Sequence, residues 1–224
     1  MNEFNFNIQL FAEIINLTEM SDQYLVPQNS DQIVYTKGGN DSISLASYIY
    51  LKIFLDTGKH DDYVYIYWTS GTINGCEDND YIYNYKGWGS LNGGACNDTI
   101  SNYGDIDYSS SPGLGRTTIN SGAGDDYISI GNTSNIICEY NSCDGNDAIK
   151  SDNRYSTVNM HISGEKYSTV KNNDDLIVNV GKDQFCCKAT QILLSKLTAF
   201  WQVAALIQCP MKLYRQKFCM LEFQ

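Results

Sequence analysis

Aspartate is the residue type best placed to do chemistry in this sequence, because it recurs at matching positions along much of the chain. The dipeptide Asn-Asp or Asp-Asp is followed two residues later by Ile or Val at seven places, and its second residue is Asp41, Asp62, Asp80, Asp98, Asp126, Asp147 or Asp175. Carboxylate oxygens are preferred ligands of hard divalent cations, and Ca²⁺ takes about six to eight oxygens. A regular series of carboxylates therefore predicts Ca²⁺ binding.

Short strands must position these aspartates. The β-branched residues that follow them are Ile43, Val64, Ile82, Ile100, Ile128, Ile149 and Ile177. Seven residues before the aspartates stand Val34, Leu55, Ile73, Leu91, Ile119, Tyr140 and Ser168, of which only the serine is polar. In four consecutive units the next residue is an asparagine, namely Asn74, Asn92, Asn120 and Asn141. Each unit therefore predicts two short strands joined by a turn, with the asparagines stacked as a ladder of side chains.

The spacing of the repeat predicts the architecture. Successive aspartates are separated by 21, 18, 18, 28, 21 and 28 residues. We interpret 18 residues as the basic coil and the longer steps as that coil with loop insertions. A coil this short cannot bury its apolar positions alone, whereas stacked coils bury a continuous inner column. We expect an all-β, right-handed parallel β-roll or β-solenoid with two short strands per coil over residues 31–183.

Two segments of the repeat carry a resemblance to a known family. The stretch Gly93-Gly94-Ala95-Cys96-Asn97-Asp98-Thr99-Ile100-Ser101 resembles the nonapeptide G-G-x-G-x-D-x-U-x of hemolysin-type (RTX) calcium-binding proteins. The stretch Ser121-Gly122-Ala123-Gly124-Asp125-Asp126-Tyr127-Ile128-Ser129 matches it at all but the first position. Two nonapeptides form one coil in that family, which agrees with the 18-residue steps seen here. The resemblance covers roughly residues 36–181 by turn chemistry and short strands.

The resemblance implies a set of ligands. In that family Ca²⁺ lies between stacked turns of neighbouring coils, so each ion takes oxygens from both. Carried over by position, the aspartate ligands are Asp80, Asp98, Asp126 and Asp147, and the carbonyl ligands come from the turns of Gly93, Gly94, Gly122 and Gly124. The Asp80 unit departs from the pattern, because Cys76 and Asp78 replace two of its glycines. The best-matched pair of turns is that of Asp98 and Asp126.

Charge narrows the classes of partner and the location. The net charge is −11, and residues 1–183 hold 25 acidic and 10 basic residues. This strongly acidic segment repels nucleic acid phosphates and anionic membranes. The first basic residue is Lys37, so the N-terminus lacks the positive region of a cleavable secretion signal. We expect an extracellular protein, secreted without such a signal, that binds calcium ions and a cell-surface or protein partner.

The two ends of the chain depart from the repeat. Residues 1–30 are predicted to be an N-terminal capping segment, because Phe4, Phe6, Ile8 and Leu10 alternate as in an edge strand. Residues 184–224 contain no Gly, no Asp and four of the eight cysteines. Their apolar run from Ile192 to Ile207 includes Lys196, which favours a buried or interfacial helix over a membrane span. We interpret this tail as foreign to the repeat.

Two other functions remain open from the residues alone. Asn and Asp also favour tight turns that bind nothing, so the chain could be a calcium-independent solenoid that acts as an interaction surface. A parallel β-helix enzyme acting on polysaccharides would use clustered aspartates and needs a facing basic residue, for which Lys86 and Arg116 are the candidates. Neither His60 nor His161 lies in a catalytic motif, so we expect no enzymatic activity. The abundant tyrosines are predicted to pack across strands rather than form a carbohydrate platform.

Overall fold

The computed structural model of the chain describes residues 12–27, 30–46, 51–103, 117–131, 136–141, 144–151, 158–163, 167–172, 175–180, 183–189, 197–198 and 218–219. These residues form strands and turns, and none of them belongs to a helix, so none belongs to an apolar helix long enough to cross a membrane. In chain order the strands are β1 (Glu13–Asn16), β2 (Gln23–Leu25), β3 (Gln32–Tyr35), β4 (Ser42–Ala46), β5 (Lys52–Asp56), β6 (Tyr63–Tyr67), β7 (Ser70–Cys76), β8 (Tyr81–Asn84), β9 (Trp88–Ala95), β10 (Thr99–Asn102), β11 (Thr117–Ala123), β12 (Tyr127–Ile130), β13 (Ile136–Asn141), β14 (Asn146–Ser151), β15 (Val158–Ser163), β16 (Tyr167–Asn172), β17 (Asp175–Val180), β18 (Asp183–Ala189), β19 (Leu197–Thr198) and β20 (Phe218–Cys219).

The strands form a parallel β-solenoid, as the repeat predicts. Odd-numbered strands make one eight-stranded sheet in the order β1-β3-β5-β7-β9-β11-β13-β15. Even-numbered strands make most of a second, ten-stranded sheet, in which β2, β4, β6, β8, β10, β12 and β14 lie side by side. Each coil contributes one strand to each sheet. The all-β fold with two short strands per coil is therefore confirmed.

The core lies between the two sheets and consists of stacked columns. In the first sheet Val34, Leu55, Ile73, Leu91 and Ile119 pair in register and are at most 3% exposed. In the second sheet the facing column is Ile43, Val64, Ile82, Ile100, Ile128 and Ile149, which are also at most 3% exposed. Side chains alternate between the two faces of a strand, so every second residue enters this core.

The last coils differ from the sequence-based alignment. Cys138, not Tyr140, pairs with Ile119, and Met160 rather than Ser168 follows it in the same column. The asparagine ladder changes in the same way, because Asn120 pairs with Glu139 and not with Asn141. The alignment was wrong here because it assumed a constant distance from the core strand to the aspartate, whereas the turn before Asp147 is two residues longer.

The sheet extends beyond the expected end of the roll. Asp175 opens β17, which pairs antiparallel with β16 and with β18, so this unit does not repeat the coil. β18 pairs in parallel with β14, and Ile149 lies opposite Cys187 in place of the predicted Ile177. The strand therefore crosses the boundary expected after residue 183. The predicted helix from Ile192 lies outside the described residues, except that Leu197–Thr198 form β19.

The N-terminal segment contains a coil. The alternating residues Phe4 to Leu10 lie outside the described residues, but the rest of the predicted cap includes β1 and β2. These strands pair in parallel with β3 and β4 respectively. Residues 13–25 thus add one more coil to the stack.

Tyrosines and asparagines stack on the outer surfaces, as predicted. The rings of Tyr63 and Tyr81 lie 5.3 Å apart between centroids, and those of Tyr65 and Tyr83 lie 5.6 Å apart. On the other sheet the Asn92 amide donates to the Asn74 side-chain oxygen at 2.7 Å. These contacts between neighbouring coils add to the core packing in holding the coils in register.

Candidate metal-binding column

Six aspartates form one buried column along an edge of the solenoid. The aspartate column consists of Asp41, Asp62, Asp80, Asp98, Asp126 and Asp147. The first five each immediately precede a strand of the second sheet, and Asp147 is the second residue of β14. Because those strands pair in phase, the aspartates lie above one another. All six are at most 3% exposed, and they include every predicted aspartate ligand.

One oxygen of each aspartate is used to join consecutive coils. The backbone N–H of one aspartate donates to Oδ1 of the aspartate in the next coil, for instance from Asp80 to Asp98 at 2.8 Å and from Asp98 to Asp126 at 2.7 Å. The same contact links Asp22 to Asp41, Asp41 to Asp62, Asp62 to Asp80 and Asp126 to Asp147 at 2.7–3.1 Å. The repeated aspartate thus has a structural role whether or not it binds an ion.

The residue before each aspartate forms a second, exposed ladder. The N–H of Asn97 donates to the side-chain oxygen of Asn79 at 3.0 Å, and the N–H of Asp125 donates to that of Asn97 at 2.7 Å. Asn146 donates to Asp125 in the same way at 2.9 Å. Here the acceptor lies in the preceding coil, whereas in the aspartate column it lies in the following coil. Together the two ladders explain why the sequence repeats Asn/Asp followed by Asp.

The second oxygen of most column members lacks a hydrogen-bond partner. Among the described residues, nothing donates to the buried Oδ2 atoms of Asp41, Asp62, Asp80, Asp98 and Asp126. In Asp147 the equivalent atom accepts from the Ser121 hydroxyl at 2.9 Å. A buried carboxylate oxygen without a donor or cation is costly, because the ionised group has lost its water.

Burial raises the pKa values of five aspartates in the column. It raises the pKa of Asp80 to about 8 and that of Asp98 to about 7, and the neighbouring aspartates add to the effect. For the same leading reason the pKa is raised to about 7 in Asp62, about 6 in Asp126 and about 8 in Asp147. Below these raised pKa values the carboxyl groups are mainly protonated, and above them they carry a buried charge that a bound cation would offset.

The turn before each aspartate keeps one backbone shape even where glycine is lost. Positive φ angles occur four residues before the aspartates, at Lys37, Gly58, Cys76, Gly94 and Gly122, and two residues before them, at Gly39, His60, Asp78, Cys96, Gly124 and Gly145. A left-handed backbone costs roughly 1 kcal/mol for a residue other than glycine. The stacking of the coils therefore imposes a left-handed backbone conformation that glycine adopts without strain.

The predicted glycines occupy two different environments. Gly94, Gly122 and Gly124 lie against carbonyl groups of the preceding coil, where a Cβ atom would come within 2.0–2.3 Å of oxygen. Gly93 instead points into the turn, where a Cβ atom would lie 2.4 Å from Asp98 Oδ2. Gly75, which the sequence reasoning missed, has the same relation to Asp80 at 2.3 Å. The sequence did contain a signal for Gly75, because it precedes its aspartate by five residues, as Gly93 does.

The donor set determines which metals fit. No group of three His, Cys, Asp or Glu side chains among the described residues is arranged to hold one ion. An ion in this column would therefore depend on unpartnered carboxylate oxygens together with backbone carbonyl groups. Such an all-oxygen set suits Ca²⁺, which accepts carbonyl ligands and irregular geometry, better than Zn²⁺, which prefers nitrogen and sulfur. The glycines leave room for these oxygens to approach.

Lys86, one of the two basic residues that an enzyme could use, does not face the column. Lys86 follows β8, whereas Asp80 precedes this strand, so the two lie at opposite ends of it. The Lys86 ammonium lies 5.2 Å from the centroid of the Trp68 ring and 5.4 Å from that of Tyr85. Arg116 lies outside the described residues.

No protein-family model matches the sequence, and the search of curated proteins also finds no match. The resemblance to hemolysin-type repeats therefore stays a prediction that rests on the two nonapeptides and on the turns described above.

Proposed function

We propose that the protein is a calcium-binding solenoid in which ions held along the aspartate column stabilise the stacked coils. One observation carries the proposal, namely the five buried Oδ2 atoms that have no donor among the described residues. Where these carboxyl groups are ionised, their buried charge needs a counter-ion. The ligands would be Asp80, Asp98, Asp126 and Asp147 with carbonyl groups of the glycine turns. The bound ion would supply the positive charge that the column lacks.

The proposed role is structural or adhesive. A fold that Ca²⁺ stabilises only at millimolar concentration suits an extracellular setting, because extracellular modules bind it with dissociation constants of about 0.1–1 mM. The outer faces of the two sheets would then present a surface to a protein or cell-surface partner. The strongly acidic body does not favour nucleic acid as that partner.

A calcium-independent solenoid is the second candidate, and the hydrogen bonds to Oδ1 favour it. Each of these bonds joins two coils without any ion, for example from Asp62 N–H to Asp80 Oδ1 at 2.8 Å. In this alternative the column is neutralised by protons, and Oδ2 carries them. The protein would then act only as an interaction surface.

Thermal unfolding with and without calcium separates the two candidates. At about pH 8 we expect millimolar Ca²⁺ to raise the Tm relative to EDTA, since an ion at about 10 times its Kd stabilises by about 1.4 kcal/mol. Mg²⁺ should act less, because it demands a smaller octahedral shell. At about pH 4 the response should vanish, because the proposed aspartate ligands are then mainly protonated. An unchanged Tm at pH 8, with no heat of Ca²⁺ binding by calorimetry, would refute the calcium-binding function and support the calcium-independent solenoid.

A further inference from the structure

We propose that calcium binding is confined to the turns of Asp80 and Asp98, because hydroxyl groups take its place in the flanking turns. This inference rests on the proposed function and identifies the site within the column. It adds Gly75 to the site, and it moves the centre one coil away from the pair of turns that the sequence favoured.

The residue five positions before the aspartate lies at the inner side of the turn, where Gly75 and Gly93 face the carboxylates of Asp80 and Asp98. In five consecutive coils this inner position is occupied by Thr36, Thr57, Gly75, Gly93 and Ser121. Two glycines in consecutive coils are thus flanked on both sides by residues with a hydroxyl group. The inner position therefore divides the column into two kinds of turn.

The hydroxyl groups donate to oxygens of the following coil. Thr57 Oγ1 donates to the Gly75 carbonyl at 2.6 Å, and Thr36 Oγ1 donates to the Thr57 carbonyl in the same way. Ser121 Oγ donates to Asp147 Oδ2 at 2.9 Å. Such turns already contain a donor between neighbouring oxygens.

The two glycine turns contain oxygens but no such donor. Around Gly75, the place of a Cβ atom lies 2.3 Å from Asp80 Oδ2 and 2.4 Å from the Gly93 carbonyl oxygen. Around Gly93 it lies 2.4 Å from Asp98 Oδ2 and 2.3 Å from the Ser121 carbonyl oxygen. A carboxylate oxygen and a carbonyl oxygen of the following coil therefore converge at each glycine. Both aspartates are at least 97% buried, and neither Oδ2 has a partner among the described residues.

Converging oxygens without a hydrogen between them repel each other and attract a cation. A hard cation is the natural partner, because every group at the site is an oxygen and one in each turn carries a formal charge. In the flanking turns a hydroxyl group occupies the inner position and already donates a hydrogen bond to one oxygen of the following coil. The chain thus combines hydroxyl-linked turns with two turns that are completed by an ion.

Asparagine substitutions test this division with little change of shape. In Asp98→Asn the side-chain oxygen can still accept from the Asp80 N–H, while the new amide supplies a donor where Oδ2 stood. Asp80→Asn does the same one coil earlier. The matched controls are Asp41→Asn and Asp62→Asn, which remove the same charge from turns that contain Thr36 and Thr57. Substitution of the glycines themselves is less informative, because a Cβ atom would collide with the carboxylate.

Calcium binding is measured by calorimetry and by the Tm shift in the full-length protein at about pH 8. We expect Asp80→Asn and Asp98→Asn to weaken the affinity by at least about tenfold, since charge count tunes calcium affinity. The two control variants should keep the wild-type affinity within about twofold, because their turns are linked by hydroxyl groups. Ser121→Gly should add a third turn of the glycine kind and increase the calcium-induced Tm shift.

Three outcomes overturn the inference. Equal losses in all four asparagine variants would mean that the whole column binds, which leaves the proposed function intact. Larger losses in the control variants would move the site to the hydroxyl turns. A wild-type protein that binds no Ca²⁺ while Asp80→Asn and Asp98→Asn raise the Tm in EDTA would mean that protons or water complete these turns. That last result would remove the proposed function as well.

Discussion

Asp98→Asn also tests the electrostatic state of the column without any metal. Burial raises the pKa of Asp98 from 3.8 to about 7, so the folded state binds this proton more tightly than the unfolded state. The stabilising contribution is fully present below about pH 4 and is lost as the pH rises through about 7. The wild-type protein in EDTA should therefore lose stability over this range, and the asparagine variant should lose less.

The expected difference in stability between the wild type and Asp98→Asn follows from the pKa shift of Asp98. A shift of about 3 pKa units corresponds to about 4 kcal/mol, which is an upper limit for this one group. Solvent screening and the coupling to Asp80 and Asp126 reduce it, and we expect about 2 kcal/mol. For a chain of this size that amounts to roughly 4–8 °C in Tm.

The assay is urea and thermal unfolding at several pH values from about 4 to 8, followed by circular dichroism in EDTA. Asp125→Asn is the matched control, because it removes the same charge from an exposed position in the neighbouring turn. This control should follow the wild-type curve. Parallel loss of stability in the wild type and in Asp98→Asn, or a wild type that gains stability toward pH 8, would refute the reasoning.

Three further predictions concern the turns, the core and the C-terminal strands. Cys96→Gly should stabilise the protein by about 1 kcal/mol by relieving a φ of 77°, while Cys96→Ala should give no gain; equal Tm values for all three proteins would contradict this. Ile100→Asp should cost about 3–5 kcal/mol by placing an unpaired charge in the core, whereas Thr99→Asp on the outer face should be mild in denaturant unfolding. Truncation after Asp183 should lower the Tm by removing the partner of β14 and β17, whereas truncation after Ala189 should not; the opposite order would mean that residues beyond 189 stabilise the sheet.

Much of the fold was accessible from the sequence because its contacts repeat locally. The alternation Tyr81-Ile82-Tyr83 placed Ile82 inside and the tyrosines outside, and the 18-residue steps stacked Ile82 on Val64 and Ile100. A one-residue slip in a strand would move its apolar side chains to the surface, so the pattern specifies the register. The recurrence of Asp80 and Asp98 before strands likewise predicted one column of carboxylates.

Other features were decided only in three dimensions. The chain inserts the antiparallel strands β16 and β17 before β18 pairs with β14 in the parallel stack. The repeat spacing does not predict this pairing, because it joins residues about 38 positions apart. The turn before Asp147 absorbs two extra residues, so Cys138 enters the core column where a fixed spacing predicted Tyr140.

The chemistry of the candidate site was likewise determined partly by the sequence and partly by the tertiary structure. The sequence by itself determined that aspartates recur at the ends of turns, because their type and spacing are local properties. Only the tertiary structure decided that Oδ1 of Asp98 accepts a backbone N–H while Oδ2 has no partner among the described residues. It also decided that Gly93 faces this oxygen, whereas Gly94 lies against the preceding coil. The two oxygens of one carboxylate are equivalent in sequence, and they differ only because the neighbouring coils present a donor to one and none to the other.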